Sequence, residues 1–599
     1  MNARRVAALP TYNHKLLVTT EHDLWTRANA GEVLPGVITP LSWTFSEDYF
    51  DLAFGGGFER MGINLMDRGQ FVQLFHGRVY FNYGLMVQGM QELGFPSVDF
   101  LSNVGGPGME GEGLYAESGL SFRRVLRHLP GILKQVRHLN RLHKVFAKQI
   151  EELEAEVARL RQIDLETMTD EQLASESEHL AEMIKPRMLL LMDAQSAVFS
   201  NLAQVRYFLK RWVGDEELAS DLMTGIPGIK TAEANIELWK IARKARGNPR
   251  AREIVAAASP ESLLPDLEAE GEAHEVVSEL RVYLDAYGHR AADELEIKTP
   301  RWVERPAPLM AAFRGYVLAG EELNPEGFEQ KQRERRLAAE RQVKAKLKSG
   351  LLAKVLPWKW LVFQQNLRES QKFLPLRENP KFYALKLSLY TRYALLAAAR
   401  RWRAEGALKN EEDIFLLRND ELLAYARAGI AGRDRGRRDI LALLDQRRDE
   451  YARYQTLEPL MVLRDSELDT RLEPVAATTA MKENGRGPRV LKGIAASAGV
   501  ASGRARVITN PHEGQLEAGE VLVAPFTDPG WTPFFPLAAA IVMDLGGMLS
   551  HGAVVAREYG IPAVVNTRVA TKQIKDGEMV TVDGLAGTVT VAAGEPPQD

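Results

Sequence analysis

The stretch Gly546-Gly547-Met548-Leu549-Ser550-His551-Gly552-Ala553-Val554-Val555-Ala556-Arg557-Glu558 decides how this chain is read. A glycine pair lets backbone approach closely at a turn. A serine follows, then a histidine, then an apolar, helix-like run. The order places the His551 imidazole at a helix N-terminus, where free N–H groups and the helix dipole favour anions. A histidine so placed can attack a phosphoryl group and hold it as phosphohistidine. The alternative for such a residue is a buried, hydrogen-bonded structural histidine after a glycine turn.

The surrounding residues favour the first reading. The chain continues as Tyr559-Gly560-Ile561-Pro562-Ala563-Val564-Val565. Upstream stand Leu491-Lys492-Gly493-Ile494-Ala495-Ala496-Ser497-Ala498-Gly499-Val500, Ser502-Gly503-Arg504-Ala505 and Val523-Ala524-Pro525-Phe526-Thr527-Asp528-Pro529-Gly530-Trp531-Thr532. Downstream come Val580-Thr581-Val582-Asp583-Gly584 and Gly587-Thr588-Val589. In this order and spacing the motifs resemble the phosphohistidine swivelling domain shared by phosphoenolpyruvate (PEP) synthase, pyruvate phosphate dikinase and rifampin phosphotransferase. The resemblance covers residues 487–595. It implies that His551 is the phosphorylated residue, with Gly546, Gly547, Ser550 and Arg557 forming its loop.

Three earlier segments extend the resemblance to an acceptor-binding region. They are Trp25 to Leu41, then Tyr287-Gly288-His289-Arg290 with Glu294 and Pro300-Arg301-Trp302, then Arg377-Glu378-Asn379-Pro380-Lys381-Phe382. Phosphoryl transfer asks mainly for positioning and charge neutralisation. An arginine offers a planar fork to phosphate oxygens and a lysine offers a point charge. Arg377 and Lys381 lie four apart, so one helix face can present both, provided that helix kinks or begins at Pro380. The resemblance implies that this pair stands beside the acceptor hydroxyl. His289 is a candidate general base, or else a hydrogen-bonded structural histidine. Arg290, Glu294 and Arg301 are candidates for the acceptor site, Arg290 either binding phosphate or tying down a helix through Glu294.

Composition bounds the rest. The chain has 599 residues, 45% hydrophobic and 26% charged, which is ordinary for a multidomain globular protein. A net charge of −4 implies no general attraction to nucleic acid. The absence of cysteine excludes disulfides, thiolate nucleophiles and cysteine-ligated metal sites. No signal peptide and no apolar run of membrane-spanning length is readable, so a cytoplasmic protein without a membrane partner is expected.

The expected fold is multidomain. A lead-in (1–20) precedes a mixed, then mostly α-helical acceptor-like domain (21–475). A polar linker (476–488), a small α/β swivelling phosphohistidine domain (489–595) and a tail (596–599) follow. Leu153, Val157, Leu160 and Ile163 recur at helical spacing. Thr169-Asp170-Glu171-Gln172 reads as a capping box, and Asn410 and Asn419 as helix starts. Gly55-Gly56-Gly57 lacks the pattern of a nucleotide phosphate loop and reads as a flexible turn. The basic run from Arg123 to Lys148, without an acid from Ser118 to Ile150, can dock an acidic partner or a nucleotide-bearing subunit. The preferred reading is a solvated helix face balanced by Glu151, Glu152, Glu154 and Glu156.

In the family an ATP-grasp domain precedes the acceptor region, and only about 20 residues stand ahead of Glu21 here. ATP and Mg2+ are therefore expected at a separate ATP-grasp subunit and not on this chain alone, an arrangement that resembles phenylphosphate synthase. The expected function is transfer of a phosphoryl group on His551 to a hydroxyl of a small organic acceptor, with a phenol among the candidates. A non-catalytic binding or regulatory protein that has lost its ATP module is the alternative, and a fragment of a longer polypeptide the third.

Overall fold

The structure is a computed structural model that describes residues 11–13, 24–27, 30–95, 121–319, 321, 324–349, 357–457, 459–464, 489–511, 514–547 and 550–592. The 476–488 linker, the 596–599 tail and all but 11–13 of the lead-in lie outside the described residues. Contacts group the chain into two compact units. The first takes in residues 1–194, 293–299 and 380–480, and the second 195–292, 300–379 and 481–599.

The first unit holds a four-stranded antiparallel sheet of β1 (Leu24–Thr26), β2 (Val72–Phe75), β3 (Arg78–Asn82) and β4 (Val462–Arg464), in the order β2-β3-β1-β4. The β2–β3 hairpin turns through His76 and Gly77, both at positive φ, the backbone that matches the twist of the two strands. Trp25, Trp43, Phe71 and Leu74 are buried beneath the sheet and the helices Pro40–Arg60 and Tyr83–Leu93. The glycine run 55–57 is not a turn: it lies inside the helix Pro40–Arg60. A side chain at Gly55 would strike Met66 and press on Phe71, so tight packing explains a glycine that composition assigns to a loop.

Helices make up most of the remainder. Leu153 and Leu160 are buried on the helix Leu142–Leu160, while Ile163 lies beyond its end. The Thr169–Gln172 capping box opens the long helix Asp170–Phe208, with Gln172 N–H donating to Thr169 Oγ1 at 3.2 Å. The Asn410 box opens a 3-10 turn, Glu411–Leu416, and not an α-helix. The box on the helix Asn419–Arg427 sits one residue early, Arg418 N–H donating to Glu421 Oε2 at 2.9 Å.

The second unit joins helices between Lys230 and Phe373 to an eight-stranded sheet. Its strands are β5 (Arg489–Lys492), β6 (Ile494–Ser497), β7 (Val500–Val507), β8 (Val521–Ala524), β9 (Ala540–Met543), β10 (Ala563–Val565), β11 (Met579–Asp583) and β12 (Thr588–Val591). They run in the order β5-β12-β11-β7-β8-β9-β10-β6. The pairs from β7 through β8 and β9 to β10 are parallel and the others antiparallel. The wholly apolar sequences of β8, β9 and β10 suit strands covered on both faces. On one face Ile541 and Ala556 join a core with Trp531, Trp239 and Phe313; on the other Val521, Val542, Val564 and Val582 pack together. The α/β region thus follows a largely helical one, as the sequence indicates. The helix His551–Tyr559 is the crossover between parallel β9 and β10, which brings its N-terminus to the carboxyl ends of those strands.

Candidate active site

Three local features fix His551. Ser550 is the N-cap, its Oγ accepting the Ala553 N–H at 3.4 Å and donating to Gly547 O at 2.8 Å. Gly546 has a φ of 131°, open to glycine and strained for other residues. Gly552 sits against Thr527 and Met543, where no larger side chain fits. His551 is the first residue of the helix that follows.

The imidazole is held from both ring nitrogens. Nδ1 lies 3.2 Å from Glu378 Oε1, and Nε2 lies 3.1 Å from Thr532 Oγ1. An ionised carboxylate only accepts, so Nδ1 carries the proton and donates it to Glu378. In the neutral ring Nε2 then keeps its lone pair, and Thr532 donates to it. Glu378 is itself held, since its Oε2 accepts from Thr231 Oγ1 at 3.1 Å and its Oε1 lies 3.7 Å from Arg377 Nη1. Neighbouring Asn379 accepts the Lys230 N–H at 3.1 Å and donates to Gly228 O at 2.8 Å. The turn bearing Arg377 and Glu378 is thereby pinned to the start of the helix Lys230–Gly247.

The loop carrying Thr532 is also fixed. Asp528 accepts the Gly530 N–H at 2.9 Å and caps the 3-10 segment Pro529–Leu537. Asn235 donates to Thr532 O at 2.9 Å and to Tyr559 Oη at 2.8 Å. Gly530 lies so close to the backbone of Ala291 and Ala292 that no side chain fits, which sets the loop against the segment following His289 and Arg290.

The electrostatics favour an anion. Arg557 donates to Ala496 O at 2.9 Å, and burial, with the charge of Arg377 next in size, lowers its guanidinium to about 10. It stays cationic at neutral pH, and Arg377 lies beside the carboxylate that holds the imidazole. Burial pushes Glu558 up to about 7, opposed by the Gly225 N–H it accepts at 2.7 Å.

The other sequence-predicted residues separate into two groups. His289, Arg290 and Arg301 are buried in the second unit, where Trp302 N–H donates to Arg290 O and Val303 N–H to Gly288 O, each at 2.9 Å. Glu294 and Lys381 belong to the first unit and pair there, Nζ to Oε1, at 2.8 Å. Arg377 and Lys381 do not share a helix face: Arg377 ends the 3-10 turn Pro375–Arg377, and the helix bearing Lys381 begins at Asn379. The division between units falls between Asn379 and Pro380. Pro380 therefore stands in the first turn of a new helix, where its missing N–H costs nothing.

Glu378 and Thr532 are the functional candidates that sequence reasoning passes over. Both lie inside quoted motifs, one next to Arg377 and one closing the middle loop. Their partnership with His551 spans 173 and 19 residues, and no spacing rule reports it.

Comparison with known proteins finds matches over both the helical and the α/β region. Residues 191–378 match the rifampicin phosphotransferase fourth domain, and residues 516–587 the mobile domain of PEP-utilising enzymes. The chain is 32% identical to a rifampicin phosphotransferase of Streptomyces sviceus over 388 residues, covering 64% of this chain and 42% of that protein. It is 28% identical to the prodigiosin synthesizing transferase PigC of Serratia marcescens over 612 residues, covering 96% of this chain and 64% of that protein. Over 109 residues, 18% of this chain and 13% of the other, it is 52% identical to a phosphoenolpyruvate synthase of Aeropyrum pernix.

Proposed function

We propose that this chain, which matches the rifampicin phosphotransferase fourth domain and the mobile domain of PEP-utilising enzymes, is a phosphotransferase component that carries a phosphoryl group on His551 to a hydroxyl of a small organic acceptor. The observation that carries the reading is the two-sided hold on His551, with Nδ1 on Glu378 and Nε2 on Thr532 at a helix N-terminus.

The steps follow from that hold. With Nδ1–H on Glu378, the Nε2 lone pair attacks phosphorus. The N–P bond forms and the donor's P–O bond breaks, leaving its electron pair on the donor. Glu378 stabilises the positive ring of the intermediate, and Arg377 and Arg557 supply charge for the phosphoryl oxygens. The acceptor oxygen then attacks phosphorus, the N–P bond breaks, and the hydroxyl proton passes to a base, for which His289 is the candidate. Arg290 and Arg301, in the same unit as His551, shape the acceptor region.

ATP with Mg2+ on a separate ATP-grasp subunit would supply the phosphoryl group: Nε2 attack on the β-phosphorus would displace AMP, and water would cleave the remaining anhydride bond to release the γ-phosphate as phosphate. The chain matches 42% of the length of the Streptomyces sviceus rifampicin phosphotransferase. Names ending in transferase of an antibiotic or synthesis of prodigiosin among the relatives support a small-molecule acceptor.

The test is acid-labile labelling. The chain, incubated with an ATP-grasp partner and β-labelled ATP, takes up label, and His551→Ala takes up none. Stoichiometric label on His551→Ala sinks the reading.

A further inference from the structure

The helix Phe122–Leu139, in the first unit, bears an apolar stripe that its own core does not use. Phe122, Leu126, Leu129, Leu133 and Val136 recur three and four apart, and their exposures run from 40% to 72%. At 100° per residue these five fall within one narrow face. A different face does the packing. There Gly131 abuts the backbone of Met61, Gln135 accepts from Arg60, and His138 Nε2 lies 2.7 Å from Asp193 Oδ2.

Cations flank the stripe. Arg123, Arg127, Lys134 and Arg137 are exposed, and the sequence has no acid from Ser118 to Ile150. The acids that follow stand on the next helix, where Glu152 pairs with Lys148 and Glu156 with Arg159. They balance their own neighbours, so the reading of the run as one solvated, neutralised face does not describe this helix. A solvated face is polar, and this one presents phenylalanine and leucine to water.

We infer that Phe122–Leu139 is an interfacial helix that lies flat on an anionic lipid surface. Low overall hydrophobicity with a strong apolar face, and lysine and arginine beside it, is the composition of such helices. Charge decides between occupants. The exposed cations of the helix, with no acid in the sequence from Ser118 to Ile150, match a plane of negative headgroups. The 18-residue helix is about 27 Å long, enough to seat the whole stripe at one depth. Among the described residues no helix is long and apolar enough to cross a membrane, and an interfacial helix needs no spanning segment. An enzyme so placed meets apolar acceptors where they partition.

Vesicle co-sedimentation of the full chain tests this. The chain is expected to sediment with mixed phosphatidylglycerol/phosphatidylcholine vesicles at low salt and to come off as salt rises. It should bind pure phosphatidylcholine far more weakly. Leu126→Glu/Leu133→Glu, at exposed positions that leave the core intact, should abolish sedimentation. Arg123→Gln and Arg127→Gln should each weaken binding roughly five-fold on anionic vesicles. Absence of binding to anionic vesicles at low salt overturns the inference. So does binding that survives Leu126→Glu/Leu133→Glu. A wild-type dimer that this double variant disperses, with no vesicle binding, assigns the stripe to a second copy and also overturns it.

Discussion

Each compact unit sets a basic side chain against a carboxylate, and the two pairs are built for different purposes. In the first unit Lys381 and Glu294 meet at 2.8 Å with side chains 15% and 2% exposed. In the second, His551 and Glu378 meet at 3.2 Å with side chains 12% and 13% exposed. The lysine pair is an ion pair between two oppositely charged side chains. The histidine pair is a hydrogen bond whose donor changes charge when its other nitrogen reacts. Glu378 is also shared with Thr231 and Arg377, so it keeps partners if His551 leaves. The comparison separates a group that holds the fold from a group that holds a reagent, although both stand in one six-residue motif.

The largest expected effect tests the lysine pair. Removing one member of a buried ion pair leaves the other charge unpaired, at a cost of about 3–5 kcal/mol. The partial exposure of Lys381 places Lys381→Met at the lower end, about 3 kcal/mol. Lys381→Met/Glu294→Gln should recover most of that loss, because no buried charge remains. Denaturant unfolding of the two variants and wild type measures it. If Lys381→Met costs under about 1 kcal/mol and instead stops the chase of label from His551 to acceptor, Lys381 belongs to the reaction and the contrast between the pairs collapses.

Glu378→Gln probes the other pair. The amide keeps the shape and can accept from Nδ1, yet it loses the charge that stabilises a positive ring. Stability should change by less than about 1 kcal/mol, since each neighbour retains a partner. Transfer should slow by roughly 10²-fold, the range of a positioned charged group in phosphoryl and acyl transfer. Single-turnover labelling of His551, followed by chase into an acceptor, gives both rates. A variant with wild-type rates in both steps would reduce Glu378 to a structural contact.

How far these pairs are legible from sequence differs in a physical way. The loop at Gly546–Glu558 is local: turn, cap and helix start all follow within a dozen residues, and the strands Val521–Ala524, Ala540–Met543 and Ala563–Val565 read directly from apolar runs. Capping boxes read to within a residue for the same reason. The Glu378–His551 contact depends on tertiary approach across 173 residues. The Gly55–Gly57 run misleads because packing against Met66 and Phe71, not backbone freedom, calls for a small residue at Gly55. Arg377 and Lys381 mislead because spacing of four presumes a single helix, and a new helix begins between them at Asn379.

The smallest expected effect sharpens the comparison with a third carboxylate, Glu558, seven residues beyond His551 on the same helix. It accepts the Gly225 N–H at 2.7 Å, with Arg557 beside it and Arg336 and Glu329 facing it from the helix Pro325–Leu347. Its close partner is a backbone N–H where Glu294 and Glu378 meet basic side chains, and burial raises it from 4.5 to about 7. The sign follows from proton binding. Below about pH 4.5 the folded and unfolded chains both carry this proton. Between about 4.5 and 7 the folded chain still holds a proton that the unfolded chain has released, so stability falls as pH rises. Above about 7 the loss is complete. Glu558→Gln removes that slope and should be more stable than wild type at pH 8 relative to pH 5, by about 1–3 kcal/mol. The quantity to measure is the difference in unfolding free energy between variant and wild type across that range, in which titrations elsewhere in the chain cancel. A difference that stays flat would mean that Glu558 is ionised throughout, held by Arg557 and Arg336 as Glu294 is held by Lys381, and the three carboxylates would then reduce to two kinds.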